Sequence, residues 1–187
     1  MFADKGFDKT TTRDIAKATN LTSAGLYYFI DSKDDLLNKA EEYFVKKIRE
    51  EAYLKAKKAD INPKERLNQI LKNMINLALN HKEIVSLLKE KSNLLGKFGD
   101  ESRLRRKGLV KQTKDIFDQL KKEGVIRKNV DTTIAVYSFI SIINFVPEWF
   151  KPNGRINRNE LIDKIFDSFF DGVGSNREKF KVTRKIK

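Results

Sequence analysis

The sequence predicts an all-α protein, with a small helix-turn-helix head followed by a larger helical-bundle body. Only three prolines and nine glycines interrupt the 187 residues, which favours helices. Apolar residues recur at spacings of three and four along several long segments, and helix-capping residues precede most of them. We expect the head over residues 1–40, the body over residues 41–172 and a basic, disordered tail over residues 173–187.

Composition argues against several classes of protein. The chain has no cysteine and one histidine, His81, so it lacks the residues for disulfides, thiolate metal sites or a Ser/His relay. We interpret His81 as a loop or cap residue, and we predict neither an enzyme nor a cofactor. No apolar run reaches the roughly 18 residues of a membrane span, and the N-terminus lacks the apolar core of a signal peptide. We therefore expect a cytoplasmic protein without membrane contact.

The head is expected to contain two short helices and a tight turn. Thr11 followed by Asp14 is typical of a capping box and predicts the start of the first helix. Asn20 lies in the predicted turn and tolerates a positive φ. Thr22 can cap the second helix, which we expect to run through Tyr28. This order of elements is that of a helix-turn-helix.

The body is expected to contain a series of longer helices. Capping residues and apolar spacing predict helices over residues 32–59, 62–78, 82–95, about 109–124, 131–149 and 157–172. Gly96 and Gly99 are interpreted as a loop. The helix over residues 131–149 is apolar on nearly every side, which predicts burial on more than one face.

The second short helix has the features of a DNA-reading element. It opens with the small residues Ser23, Ala24 and Gly25, which let a helix backbone approach the floor of a major groove about 12 Å wide. Aromatic and basic side chains follow that can contact phosphates, although the aromatic ones would also suit a helical core. The net charge of +13 favours approach to DNA, but residues 1–40 hold six Lys/Arg and six Asp/Glu, so bulk charge does not locate the site.

Residues 6–16, 21–22, 25–28 and 32–37 together resemble the head of the TetR family of transcriptional regulators. The resemblance implies that Thr22 caps the recognition helix and touches phosphate, that residues 23–25 face bases, and that Tyr27 and Lys33 hold phosphates. Phe29-Ile30 stands where the family usually has His-Phe, and Thr19-Asn20 replaces the usual Ala-Gly of the turn. The DNA-binding residues we predict are Thr11, Thr12, Arg13, Thr22, Ser23, Ala24, Gly25, Tyr27, Tyr28 and Lys33.

Residues 144–156 and the helix after them are similar to the C-terminal region of the fatty-acid and sterol-degradation branch of that family. In that branch an Asn and a Trp precede a Pro-x-Gly-Arg turn, and the resemblance implies a long apolar ligand such as an acyl-CoA. The ligand-binding residues we predict are Met74, Phe117, Phe139, Asn144 and Trp149, with plain core packing as the alternative for each. The basic run Arg103, Arg105, Arg106 and Lys107 is interpreted as a solvated helix face, or else as a site for CoA phosphates.

A wide apolar stripe on the last helix predicts dimerisation. With the preceding helix it would pack against its twofold copy in a four-helix interface; a monomeric bundle is the alternative. The residues predicted for this interface are Ile162, Ile165, Phe166, Phe169 and Phe170. We thus expect a homodimeric, ligand-responsive regulator of an operator in double-stranded DNA, most simply a repressor. The alternative is a helical protein–protein adaptor with a degenerate head.

The beginning of the chain carries a further expectation from the resemblance. In the family, another helix precedes the segment that matches residues 2–7 and completes the core of the head. Here only Phe2 and Ala3 would cover Ile15, Leu26 and Ile30. We therefore expect a truncated first helix and a head that is looser than the body, since short isolated helices are marginal in water.

Overall fold

A computed structural model of the chain describes residues 5–90 and 99–174, and within them the predicted all-α fold is confirmed. The helices are α1 Thr12–Ala18, α2 Ser23–Tyr27, α3 Lys33–Lys47, α4 Lys55–Lys58, α5 Pro63–Asn80, α6 Lys82–Glu90, α7 Gly99–Lys122, α8 Thr132–Trp149 and α9 Arg158–Val173. A π-helical segment, Ile48–Leu54, joins α3 directly to α4.

The helix starts are formed by the capping residues that the sequence indicates. In α1 the Thr11 hydroxyl accepts a hydrogen bond from the Asp14 amide, and the Asp14 carboxylate accepts one from the Thr11 amide, which completes a capping box. In α5, Asn62 caps a helix whose first residue is Pro63. The capping side chains of the described helices are Thr11, Thr22, Ser32, Asn62, Asp131 and Asn157.

Two features of α7 and its surroundings differ from the expectation. Gly99 does not lie in a loop, because it is the first residue of α7, while Gly96 lies outside the described residues. The end of α7 is as predicted. Gly124 has a φ of +73°, and the Val125 amide donates to the Leu120 carbonyl at 2.9 Å, which is a glycine-terminated helix end.

The linker rod, which we define as α3, the π-helical segment and α4, runs without a break from the head into the body. Its extent matches the helix predicted over residues 32–59, but its change of hydrogen-bond register was not predicted. Ala52 and Tyr53 of the π-helical segment are buried in the body core, where the hydroxyl groups of Tyr53 and Thr113 lie 2.5 Å apart. The rod therefore ties the head to the centre of the body.

The body has one large core, formed by the rod, α5, α7, α8 and α9. Three aromatic rings meet where α7, α8 and α9 pack together. The rings of Phe117, Phe139 and Phe169 meet edge to face with centroids 5.5–5.9 Å apart, an arrangement that the ring quadrupoles favour. Phe117 and Phe139 are fully buried, and Phe169 packs against them at the edge of the core.

The head has a small core of its own, and a third cluster joins the head to the body. Ile15, Ala16, Leu26 and Ile30 pack together in the head, with Leu36 against them. The joining cluster consists of buried Phe7 and Leu37, packed against Leu87 and Leu88 of α6. Helix α6 of the body therefore contacts the base of the head.

The predicted domain limits meet the structure only in part. Val173 ends α9, and Gly174 forms a backbone bridge with Ile126. The first two residues of the tail predicted over residues 173–187 therefore belong to the folded body. Residues 175–187, like Phe2 and Ala3, lie outside the described residues. Across residues 5–90 and 99–174, none of the helices combines the length and apolarity needed to span a membrane.

Candidate DNA-binding surface and ligand pocket

The turn between α1 and α2 contains a residue in the left-handed conformation that ends α1. Asn20 has a φ of +55°, as its residue type allows. The Leu21 amide donates to the Ala16 carbonyl at 2.8 Å, and the Asn20 amide donates to the Lys17 carbonyl at 3.3 Å. This pair of bonds is a Schellman motif, and it ends α1 and redirects the chain into α2.

The start of α2 presents a smooth surface of small residues. The Thr22 hydroxyl accepts a hydrogen bond from the Gly25 amide at 2.9 Å, and Ser23 and Ala24 are exposed beside it. A Cβ atom at Gly25 would lie 3.2 Å from the Thr22 hydroxyl oxygen, so a larger residue would press on the cap as well as roughen the surface. This is the surface that a recognition helix needs for close approach to DNA.

The aromatic residues at the end of α2 and just after it lie on the outside of the head. Tyr28 is 86 % exposed and Phe29 59 %, so the interpretation of these side chains as core does not hold. Tyr27 is half exposed, and its hydroxyl lies 3.2 Å from the Thr12 hydroxyl of α1. The tyrosine hydroxyl groups and the exposed guanidinium of Arg13 on α1 are hydrogen-bond donors of the kind that can contact phosphates.

Lys33 is placed differently from the prediction. Its Nζ donates to the backbone carbonyls of Phe7, Asp8 and Thr10 at 2.8, 3.2 and 3.1 Å, and it lies 4.5 Å from the centre of the Phe7 ring. An ammonium group has three N–H donors, and all three have acceptors inside the protein. Its contacts in this structure are therefore with the head itself, and the phosphate contact of Lys33 stays a prediction.

The five predicted ligand-binding residues do not line a common cavity. Met74, Phe117 and Phe139 are buried in the body core, which is the alternative that the sequence left open. Asn144 and Trp149 lie on the solvent side of α8. The residues on the two sides of this helix cannot contact the same small ligand without rearrangement of the core.

A pocket of about 610 Å³ lies instead between α8 and α9 and opens to solvent. Its floor is apolar and includes Ile142, Trp149, Ile165 and Phe169. The pocket also contains the cationic side chains Arg155 and Lys164 and the hydroxyl groups of Ser138 and Ser168. Of these, sequence reasoning found Trp149 as a ligand residue; Arg155 belongs to the same turn that carried the resemblance.

The residues predicted for dimerisation divide between two faces of α9. Ile162, Phe166 and Phe170 are buried in the core of their own chain, so their assignment to a subunit contact is corrected. Ile165 and Phe169 are only partly buried. Five exposed apolar residues lie on α8, namely Ile134, Tyr137, Ile142, Phe145 and Trp149. We call this set the α8 stripe.

The basic run of α7 is not a uniform solvated face. Arg105 donates from Nε and Nη2 to the Oε2 atom of Glu41 at 3.0 and 2.7 Å. The Ser102 hydroxyl donates to Oε1 of the same carboxylate at 3.1 Å, and Arg106 Nε lies 3.7 Å from that oxygen. The guanidinium of Arg105 therefore links α7 to the linker rod and is not free for a phosphate.

Comparison with known proteins identifies the family. Residues 1–40 match the model of bacterial regulatory proteins of the tetR family, and residues 60–173 match that of the tetracyclin repressor-like C-terminal domain. The chain belongs to the TetR family. The predicted class, a DNA-binding transcriptional regulator, is thus confirmed.

Individual relatives extend over nearly the whole TetR-family chain. The transcriptional repressor KstR2 of Mycobacterium tuberculosis is 27 % identical over 185 residues, which cover 92 % of this chain and 87 % of KstR2. The crystal structure of AibR in complex with isovaleryl coenzyme A and operator DNA is 31 % identical with a TM-score of 0.80, and covers 90 % of this chain and 91 % of AibR. A structure of KstR2, at 22 % identity and a TM-score of 0.81, supports the fold.

Proposed function

We propose that the protein is a homodimeric repressor that leaves its operator when an acyl-CoA binds the pocket between α8 and α9. The observation that carries this proposal is the combination of an apolar floor and two cations in that pocket. AibR, a relative of similar fold, was crystallised with isovaleryl coenzyme A and operator DNA.

The chemistry of the pocket suits a ligand that is apolar at one end and anionic at the other. An acyl chain gains free energy by leaving water for a surface such as Ile142, Ile165 and Phe169. The phosphates of coenzyme A would find the cationic groups of Arg155 and Lys164. The predicted residue Trp149 takes part through its indole ring, whereas the core residues Met74, Phe117 and Phe139 would not touch the ligand.

The α8 stripe supports the proposed homodimer. Ile134 and Tyr137 are 66 % and 57 % exposed, and a continuous apolar surface of this kind marks an interaction site. Packing of α8 and α9 against a twofold copy would remove the stripe from water and form a four-helix contact. Two heads related by a twofold axis would then read two half-sites spaced by about 34–36 Å.

The ligand pocket and the α8 stripe share Ile142 and Trp149. A ligand in the pocket would therefore lie beside the partner subunit and change how the subunits pack. Such a ligand acts as a switch only if it binds the two arrangements with different affinity. We propose that the two arrangements differ in the distance between the two heads.

The test uses an acyl-CoA series from isovaleryl to long-chain species, with free coenzyme A as the reference for the anionic part alone. Binding should raise the melting temperature, because a ligand at 100 times its Kd adds about 2.7 kcal/mol to the free energy of unfolding. Binding should also release the protein from a DNA duplex that the protein has enriched from a randomised pool. Arg155→Ala and Lys164→Ala should weaken both effects. Lys111→Ala, an exposed charge on α7, is the matched control.

Each arm of this test has an outcome that counts against the proposal. If the thermal shifts of the wild type and the two pocket variants are equal, the ligand does not bind in this pocket. Absence of any shift across the series, in protein shown to be ligand-free, would argue against acyl-CoA as the effector class.

A further inference from the structure

We infer that Gly172 sets the depth of the pocket between α8 and α9 and thereby determines which acyl chain lengths the pocket accepts. The inference rests on the proposed function and names a specificity-determining residue of the same site. It starts from the direction of the pocket, which has its cationic side chains toward one end and Gly172 at the other.

The pocket runs along two antiparallel helices. The chain turns from the end of α8 into the start of α9, and the rings of Phe139 on α8 and Phe169 near the end of α9 meet with centroids 5.5 Å apart. Trp149 and Arg155 therefore line the end of the pocket nearest the turn, while Gly172 lines the opposite end.

The charges give a bound ligand its orientation. Arg155 precedes α9 and Lys164 lies in its first half, and both line the pocket. The lining residues of α9 beyond Lys164 are uncharged: Ile165, Ser168, Phe169, Gly172 and Val173. Because phosphates bind cations and an acyl chain gains free energy by leaving water, the coenzyme A part belongs near the turn and the acyl chain extends toward Gly172. Lys164 and Gly172 lie about 12 Å apart along the axis of α9.

Gly172 leaves this far end of the pocket open because it has no side chain. It lies on the same face of α9 as Leu161, Ile165 and Ser168, which also line the pocket, so a side chain at this position would extend into the pocket. A Cβ atom placed on Gly172 would have no heavy atom of the surrounding protein within 4 Å. A larger residue would therefore occupy space that the acyl chain needs, without a clash with the protein.

The backbone around Gly172 is held in place by the loop that follows α7. The Arg127 guanidinium donates to the Gly172 carbonyl, and the Arg127 amide donates to the Val173 carbonyl at 3.0 Å. Ile126 and Gly174 form a backbone bridge beside these bonds. The depth of the pocket therefore depends on the size of residue 172 and not on a shift of the helix that carries it.

Gly172→Leu tests this role without a loss of stability. Gly172 lies within α9, and glycine is a poor helix former, so leucine should not destabilise the fold. Gly108→Leu is the matched control. Gly108 lies within α7, also has no heavy atom of the surrounding protein within 4 Å of an added Cβ atom, and does not line the pocket.

The experiment measures the affinity of free coenzyme A and of straight-chain acyl-CoAs from butyryl to palmitoyl, by titration calorimetry on ligand-free protein. Wild-type affinity should rise by up to about fourfold for each added methylene until the pocket is filled. In Gly172→Leu this rise should stop at a shorter chain, so that the longest chains bind about tenfold more weakly than to wild type. Free coenzyme A and the shortest chain should bind as to wild type, and Gly108→Leu should match wild type throughout.

Three results would overturn the inference. The first is a Gly172→Leu variant with the chain-length profile of wild type. The second is an equal loss of affinity for every ligand including free coenzyme A, which would reverse the orientation. The third is a Gly172→Leu variant that sediments as a monomer while wild type is a dimer, because Gly172 would then serve contact between subunits. Absence of acyl-CoA binding to wild type would overturn the proposed function as well, and is distinguishable because it needs no variant.

Discussion

Glu41 carries a carboxylate that is almost fully removed from water, with 2 % of the residue exposed. A buried charge is costly unless it is paired and hydrogen-bonded. Here the donors come from Arg105 and Ser102 of α7, while Glu41 belongs to the linker rod. The pair therefore joins the body to the helix that carries the head.

We expect Glu41→Gln to lower the free energy of unfolding by about 3 kcal/mol, because it leaves the Arg105 guanidinium without its counter-charge. Urea unfolding at one fixed protein concentration measures this change. Glu101→Gln is the matched control. Glu101 lies 3.9 Å from Arg105 Nη1 with a side chain that is 82 % exposed, so its loss should cost at most about 0.5 kcal/mol. Equal effects of the two variants would show that the Glu41 pair contributes little.

At the scale of elements, the capping box of α1 predicts a dependence on pH. The pKa of the Asp14 carboxyl is lowered from 3.8 to about 2. The largest cause is the hydrogen bond from the Thr11 backbone amide, followed by the hydrogen bonds from the Thr11 hydroxyl and from Lys5. Because the folded-state pKa lies below the ordinary value, the carboxylate stabilises α1 above about pH 4. This stabilisation is lost as the pH falls through about 2.

Comparison of wild type with Asp14→Asn tests this dependence, because asparagine cannot titrate. The difference in melting temperature between the two proteins should be constant near neutral pH and should shrink as the pH falls from about 4 to about 2. Circular dichroism over a pH series gives both melting temperatures. A difference that stays constant down to pH 2 would contradict the assigned role of the carboxylate.

The elements also show which parts of the structure the sequence could predict. Caps and turn residues such as Thr11, Asn20 and Gly124 act on atoms a few residues away, so their positions predict helix ends well. The role of Arg105 depends on Glu41, which lies 64 residues away, and no local pattern indicates that pairing. The π-helical register of the linker rod is likewise invisible in the spacing of apolar residues.

Part of the site prediction failed because it too depended on contacts between distant parts of the chain. The apolar stripe of α9 has a helical period whether it packs on its own chain or on a second copy, so Phe166 was assigned to the wrong partner. The family resemblance indicated Lys33 correctly as a residue of the head, but the acceptors of its ammonium group became clear only with the turn at residues 7–10 in place.

At the scale of the whole molecule, the α8 stripe predicts where the dimer can be broken. Ile134→Asp or Tyr137→Asp would place an unpaired charge in the proposed contact, at a cost of several kcal/mol. We expect folded monomers by sedimentation at micromolar concentration. Leu104→Asp is the control, because Leu104 is similarly exposed, at 62 %, but lies on α7. It should remain dimeric.

Two outcomes would contradict this assignment. The first is a wild-type protein that sediments as a monomer, and the second is a Leu104→Asp variant that dissociates as readily as the α8 variants. Phe166→Asp should behave differently from all three, because Phe166 is buried in its own chain. We expect that variant to lose its folded structure.

Trp149, which lines the α8–α9 pocket and lies on the α8 stripe, is the only tryptophan of the chain. Its indole emission therefore reports from a single place in the protein, and that place is where the proposed ligand and the proposed partner meet. Removal of the ring from water should move its emission to shorter wavelength. The sequence thus contains an intrinsic optical probe of its own regulation, with no dye or label to attach.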